Sequence, residues 1–157
     1  MRLNQLLKLM FWFLLFESIG FLLGMLTQAN IYPWYESLNK SSLTPPGFVF
    51  SVVWSLLYAL LSLVAVILFH RDKESSNNKL MMLFVLQMLM NWAWTPLFFG
   101  LHWIMLSAIW LVGLTALNGI LIIQARNKAP MVAWLLIPYL IWLMFACYLN
   151  GVIAWLN

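Results

Sequence analysis

Three tryptophans and one asparagine are the side chains of this sequence whose types and spacing best fit a binding site. Trp54, Trp94 and Trp142 lie inside three separate apolar segments, and Asn91 lies one helical turn before Trp94. An indole offers a flat apolar face and one N–H donor, so several indoles together suit a flat aromatic ligand with a few polar edges. Tryptophans at helical spacing are also common in packed cores, and an asparagine within the membrane often joins helices by hydrogen bonds. The residues alone leave both interpretations open.

The remaining reactive side chains do not form a catalytic set. His70 and His102 are predicted at opposite membrane faces, and the single cysteine, Cys147, lies within the last apolar segment as a packing residue. Paired carboxylates, a Ser/His/Asp set, a phosphate-binding glycine loop and a Cys/His cluster do not occur in the sequence. Glu17 is the one carboxylate well inside an apolar segment, where the ionised form is costly. It is interpreted either as a functional group facing a wet cavity or as a neutral acid bonded to a neighbouring helix. Conventional hydrolytic or metal catalysis is not expected.

Composition indicates the elements that position these residues. The chain has 157 residues, of which 65% are hydrophobic and 8% charged, whereas soluble domains carry roughly 25% charged residues. A membrane span needs about 20 apolar residues. Five segments qualify, at about residues 6–27, 46–69, 80–100, 103–123 and 131–156. The sequence therefore predicts an all-α integral membrane bundle of five transmembrane helices, forming a single domain over residues 1–157.

The charges predict the orientation of this bundle in the membrane. With five spans, the N-terminus and two short loops lie on one side of the membrane. On the other side, Lys40 is the only Lys or Arg residue. The positive residues of the first side are Arg2, Lys8, Arg71, Lys73, Lys79, Arg126 and Lys128. By the positive-inside rule the N-terminus is cytoplasmic and the C-terminus is outside. Because the net charge of +4 is spread over segment ends, the expected partner is the lipid bilayer and not nucleic acid.

The second segment carries an aromatic stripe. Pro46 suits the first turn of a helix, and Phe50, Trp54 and Tyr58 follow at four-residue intervals. Trp54 then lies roughly 12 Å below the outer surface, which is deep for an interfacial tryptophan. In the fifth segment Ala146 follows Trp142 by four residues, and its small side chain leaves room on that face.

Two further patterns concern the outer half of the bundle. In the first loop, Trp34, Tyr35 and Leu38 fall on one side of a short helix, which suits either a cover over the helix ends or an interfacial anchor. Pro96 predicts a kink in the third helix. Gly20 and Gly24 form a G-x-x-x-G pair in the first helix, which is a weak signal for helix contact.

Four sequence blocks resemble the translocator protein or tryptophan-rich sensory protein (TspO/MBR, peripheral-type benzodiazepine receptor) family. They are "WYESLNK" with "TPPG", "FSVVWSLLY", "QMLMNWAWTPLFFG" and "PYLIWLMFACYLN". The resemblance implies a multi-pass membrane protein, in a bacterial cell membrane, that forms a homodimer. It also implies a receptor or sensor for protoporphyrin IX and isoquinoline-type molecules, acting in tetrapyrrole regulation or a stress response, with porphyrin as a ligand and no required cofactor. The binding residues it implies are Trp34, Pro46, Phe50, Trp54, Asn91, Trp94, Trp142, Ala146 and Leu149.

The resemblance also leaves alternatives. The protein could be a tetrapyrrole transporter, or a light-dependent porphyrin-degrading protein with Trp54 and Trp142 as the candidate catalytic residues. A structural membrane protein whose tryptophans only pack is a further alternative.

The sequence departs from the family pattern at three places. The loop reads Lys40-Ser41-Ser42-Leu43 where the family has Lys-Pro-Ser-Trp. Trp110 stands at a position that is commonly acidic, and Leu106 at one that is often aromatic. The ligand preference could therefore differ. Tyr148 is not followed by the cation of a cholesterol-type motif, so sterol binding through that motif is not expected.

Overall fold

The computed structural model describes residues 3–70 and 78–157, and within these residues the chain forms five long helices. They are α1 (Leu3–Ala29), α2 (Gly47–Phe69), α3 (Asn78–Thr95), α4 (Ile104–Lys128) and α5 (Pro130–Leu156). All five are long and apolar enough to cross a membrane when α3 is taken together with the turn that follows it. A helix satisfies its backbone hydrogen bonds internally, as lipid requires. The predicted all-α, five-helix membrane bundle is confirmed. Arg2, Arg71 and Lys73, which contribute to the predicted charge asymmetry, lie outside the described residues.

The helix ends follow local chemistry. Helix α2 begins directly after Pro46, and α5 has Pro130 as its first residue, where a missing N–H costs no helical hydrogen bond. Helix α4 runs past the predicted end at Ile123 to Lys128, and Arg126 and Lys128 lie in its last turn. Cations are favourable there because the carbonyl end of a helix carries partial negative charge.

Pro96 changes the geometry of the third membrane span. The α-helix ends at Thr95, and Pro96–Gly100 winds as a wider turn with hydrogen bonds over five residues. Proline has no N–H to donate and its ring crowds the preceding turn. Two consecutive side chains of the wide turn, Phe98 and Phe99, are both buried. The kink predicted at Pro96 therefore takes the form of a wide turn that points two rings inward.

The core lies among α2, α3, α4 and α5, whereas α1 covers one side of it. Helix α4 packs most extensively on α5, and α1 packs mainly on α2. Phe16 is the one buried residue of α1. Most of the α1 surface therefore faces away from the rest of the bundle.

Candidate functional site

The structure brings three of the predicted ligand-binding residues together between α2 and α5. Phe50 and Trp142 are in edge-to-face contact, with ring centroids 5.7 Å apart. Trp54 lies one turn from Phe50 on α2, 5.5 Å from the ring of Tyr58 and 6.4 Å from that of Tyr139. Phe50, Trp54 and Trp142 are all half-buried. We call these three residues, with the half-buried Ala146 one turn above Trp142, the α2–α5 aromatic surface.

Trp142 has an unused hydrogen-bond donor. Its indole Nε1 is buried and has no acceptor within the described part of the chain. A buried donor without a partner costs about 1–3 kcal/mol. The Nε1 of Trp92 shares this condition, but its ring packs against Phe16 of α1, away from α5. Trp142 is thus the indole of the α2–α5 aromatic surface whose N–H is buried without an acceptor among the described residues.

Asn91 is a junction between three helices. Its Oδ1 accepts a hydrogen bond of 3.2 Å from the Tyr58 hydroxyl, and its Nδ2 donates one of 2.8 Å to the Tyr139 hydroxyl. Asn91 and both tyrosines are buried. Because each end of the carboxamide is bonded to protein, the helix-joining interpretation describes Asn91 in this structure.

Trp94 belongs to a different group of side chains. Its ring stacks on Phe98 at 5.2 Å, nearly parallel, and its Nε1 donates a 3.0 Å hydrogen bond to Oδ1 of Asn150. Ser107 of α4 donates to the same oxygen at 3.3 Å. Among the described residues, no ring contact joins Trp94 to Trp54 or Trp142. The three deep tryptophans therefore form two groups, one at the α2–α5 aromatic surface and one below the first loop.

The first loop, residues 30–46 between α1 and α2, forms a lid over the second group. Trp34, Tyr35 and Leu38 pack on Phe98, Phe99 and Ile153. The ring of Trp34 also stacks on the imidazole of His102, with ring centroids 3.9 Å apart. The side chain of Tyr35 is sufficiently covered that burial raises the pKa of its hydroxyl. These contacts favour the cover over the interfacial anchor as the interpretation of the loop.

Two hydrogen-bonded contacts fasten the lid to α5. The backbone N–H of Asn39 donates to Oδ1 of Asn157 at 2.9 Å, and Nδ2 of Asn157 donates back to the Asn39 carbonyl at 3.0 Å. The Ser41 and Tyr148 hydroxyls are 2.9 Å apart. Lys40 stabilises the lid from within, because its ammonium donates to the carbonyls of Tyr35, Glu36 and Leu38.

The other predicted residues are placed as follows. Pro46 is exposed at the start of α2, whereas Leu149 is buried. In α4, Trp110 donates a 2.8 Å hydrogen bond to the carbonyl of Met90, and Leu106 is exposed. Sequence reasoning did not single out His102 or Asn157 as partners of the lid, or Asn150 as the partner of Trp94. Residue type alone gave no signal for these contacts, since each joins segments distant in sequence.

Comparison with known proteins agrees with this architecture. The family model described as the TspO/MBR family matches residues 12–156. The chain is 32% identical over 155 residues to a protein of Archaeoglobus fulgidus named tryptophan-rich protein TspO, covering 98% of this chain and 99% of the relative. It is 32% identical over 144 residues to the translocator protein of Bos taurus, covering 88% and 83% of the two chains. It is also 34% identical over 125 residues to protein CrtK of Rhodobacter capsulatus, covering 79% and 78%. The chain belongs to the TspO/MBR family and is a multi-pass membrane protein.

Proposed function

We propose that this protein is a membrane receptor or sensor that binds a porphyrin such as protoporphyrin IX, or a similar flat aromatic molecule, at the α2–α5 aromatic surface. The observation that supports this proposal most directly is the buried indole N–H of Trp142, which has no acceptor in the described part of the chain and lies beside Phe50. A ligand edge with a lone pair would supply the missing acceptor.

The chemistry of the surface suits a flat ligand. Three aromatic contacts add about 2–4 kcal/mol beyond the burial of area, whereas micromolar affinity needs about 8 kcal/mol. Burial of the ligand itself would supply the remainder, and Ala146 adds only a methyl group to the surface against which the ligand would lie. Isoquinoline-type molecules would use the same contacts, and the binding requires no cofactor.

The lid also reaches the outer end of the proposed site, because its Ser41 contacts Tyr148, two residues beyond Ala146 on α5. In the proposed orientation, with a cytoplasmic N-terminus in a bacterial membrane, the lid and the outer ends of α2 and α5 lie on the outer side. A ligand arriving from that side would pass beneath the segment held by Asn39 and Asn157, so opening of this contact would control the rate of binding.

A titration with protoporphyrin IX in the dark tests the proposal. Binding is followed by tryptophan quenching and porphyrin absorbance for the wild type, Trp54→Phe, Trp142→Phe and Trp94→Phe. Trp142→Phe keeps a ring but loses the donor, so we expect binding about fivefold weaker, the value of one hydrogen bond of about 1 kcal/mol. Trp94→Phe is the matched control, because this indole is already bonded to Asn150.

Three results would contradict the proposal. They are the absence of saturable binding, binding unaffected by both Trp54→Phe and Trp142→Phe, and binding weakened by Trp94→Phe alone. Failure of any ligand to protect the fold against heat would favour the structural role.

Two other functions remain candidates. A tetrapyrrole transporter is favoured by relatives named translocator protein, and it predicts porphyrin flux into proteoliposomes that falls in Trp54→Phe. A light-dependent porphyrin-degrading protein is favoured by the two half-buried indoles, Trp54 and Trp142, at the proposed site. It predicts a new absorbance spectrum under light and oxygen that is lost in Trp142→Phe.

A further inference from the structure

Three buried polar side chains lie in the half of the bundle remote from the lid, and the proposed ligand site does not use them. They are Ser62 of α2, Gln87 of α3 and Asn118 of α4, and each is at most 1% exposed. We call these three residues the buried polar cluster. In the carboxamides of Gln87 and Asn118, neither the oxygen nor the nitrogen has a hydrogen-bond partner among the described residues. Four polar atoms are therefore buried and unpaired within the protein.

The hydrogen bond between Tyr58 and Asn91 fixes the position of two members of the cluster. Ser62 follows Tyr58 by four residues on α2, and Gln87 precedes Asn91 by four residues on α3. Residues four apart lie on the same face of a helix, one turn along. The two helices run in opposite directions, so both steps lead away from the lid. Because the Tyr58 hydroxyl donates to Asn91, Ser62 and Gln87 lie on the same two faces, one turn further from the lid.

The connection between α4 and α5 places Asn118 at a similar depth. The two helices are joined at Ala129 and pack closely on each other. Asn118 precedes Ala129 by eleven residues, and Tyr139 follows it by ten. Asn118 is therefore nearly level with Tyr139, whose hydroxyl accepts the hydrogen bond from Asn91. Three helices thus each bring one buried polar side chain to within about one turn of the Asn91 junction.

The chemistry of the cluster indicates what would satisfy it. Each buried polar group without a partner lowers the equilibrium constant of folding by about 5- to 150-fold, and native proteins keep few of them. A carboxamide offers two donor hydrogens and an acceptor oxygen. The Ser62 hydroxyl already donates to the carbonyl of Ala59, so its oxygen is left to accept. The cluster has no charged side chain, which suits a small neutral molecule that both donates and accepts.

Glu17 of α1 is not part of this cluster. Its Oε2 accepts a 3.2 Å hydrogen bond from Ser55 of α2, and Oε1 has no partner among the described residues. The side chain lines a shallow groove of about 380 Å³ on the surface of α1. The hydrogen bond to Ser55 favours the interpretation of Glu17 as an acid bonded to a neighbouring helix.

We propose that the buried polar cluster is an internal water site, in which one or two water molecules join the carboxamides of Gln87 and Asn118 and donate to the oxygen of Ser62. A buried water molecule makes about three hydrogen bonds, so this water connects α2, α3 and α4 where their side chains do not bond to one another. The site is separate from the α2–α5 aromatic surface and does not depend on the proposed ligand.

Solid-state NMR of the protein in liposomes tests for the water directly. Magnetisation is transferred from water to the side-chain NH₂ groups, whose signals are assigned with the variants Gln87→Met and Asn118→Leu. At short mixing times we expect the signals of Gln87 and Asn118 to receive magnetisation and that of Asn91 to receive none. Asn91 is the matched control, because its carboxamide is also buried but is bonded to two tyrosine hydroxyls. Transfer to none of the three would overturn the proposal, including the case in which Gln87 and Asn118 bond directly to each other.

The sign of the change in stability provides a second test. Gln87→Met and Asn118→Leu replace each carboxamide by an apolar side chain of similar size. If water is bound, each variant should lower the equilibrium constant of folding by about fivefold, the value of one net hydrogen bond. The double variant should lose less than the product of the two effects, because both residues bind the same water.

Unfolding by denaturant in detergent measures these equilibrium constants. A dry cluster predicts the opposite sign, because each substitution would then remove an unpaired buried group. Higher stability of both single variants would therefore overturn the proposal. Two losses that multiply fully in the double variant would contradict a water shared by Gln87 and Asn118.

Discussion

Asn91 shows how one polar side chain inside a membrane bundle can be fully used for structure. Its carboxamide is bonded to Tyr58 of α2 and Tyr139 of α5, and all three residues are buried. A polar group at this depth has no water to replace a lost partner, so each hydroxyl relies on Asn91. The asparagine in the sequence predicted a polar contact. It did not predict that both the oxygen and the nitrogen of the carboxamide would be hydrogen-bonded to other side chains of the protein.

We expect Asn91→Leu to destabilise the protein by about 1–3 kcal/mol, because it leaves two buried hydroxyl groups without their partner. Thermal unfolding in detergent measures the loss. Tyr58→Phe is the control, since it removes only one of the two hydrogen bonds and should cost less. An Asn91→Leu variant that unfolds at the wild-type temperature but no longer binds protoporphyrin IX would instead identify Asn91 as a ligand contact.

At the level of elements, the helices were predictable and the contacts between them were not. Hydropathy finds five spans because lipid demands long apolar helices. It does not give the rotation of each helix about its axis, which decides the partner of each side chain. Trp94 and Trp142 are the same residue type at similar depths, yet the N–H of Trp94 donates to Asn150 whereas that of Trp142 has no acceptor within residues 3–70 and 78–157. The wide turn at Pro96 contributes to this difference, because it places Phe98 against Trp94.

The lid is the element whose attachment can be tested most directly. We expect Asn157→Ala to increase hydrogen exchange in residues 31–45 and to speed porphyrin binding, because it removes two hydrogen bonds to Asn39. Each such bond contributes about 0.5–1.5 kcal/mol, so lid opening should become roughly 5- to 100-fold more frequent. Ser37→Ala is the control, since the Ser37 hydroxyl bonds to the Trp34 carbonyl within the lid. Unchanged exchange in Asn157→Ala would show that aromatic packing alone holds the lid closed.

At the scale of the whole molecule, one hydrogen bond joins α1 to the end of α2 on the side opposite the lid. Trp12 donates to Nε2 of His70 at 3.3 Å, which requires a neutral imidazole. Burial, and then the positive charge of Lys8, lower the pKa of His70 below its ordinary value of 6.5. The folded protein therefore binds fewer protons than the unfolded chain just below this pH. The contribution of neutral His70 to the free energy of unfolding is therefore complete above pH 6.5, and it is lost as the pH falls through the lowered pKa of His70 in the folded protein.

We expect the unfolding temperature to decrease as the pH falls below about 6.5, and this decrease to be smaller in His70→Ala. Thermal scans in detergent between pH 5 and pH 8 measure it for both proteins, with His102→Ala as the control for the other histidine. A wild-type curve parallel to that of His70→Ala would show that the contact with Trp12 does not depend on protonation.

The close approach of α1 to α2 at Gly20 has a mechanical consequence. The ring of Tyr58 occupies the space that a side chain at position 20 would need, and the same tyrosine holds Asn91, which in turn holds Tyr139. A continuous series of contacts therefore runs from α1 through Tyr58, Asn91 and Tyr139 to α5, where Tyr139 lies beside Trp54. A substitution that moves α1 relative to α2 should therefore disturb the α2–α5 aromatic surface as well, because the two are joined by this series of contacts.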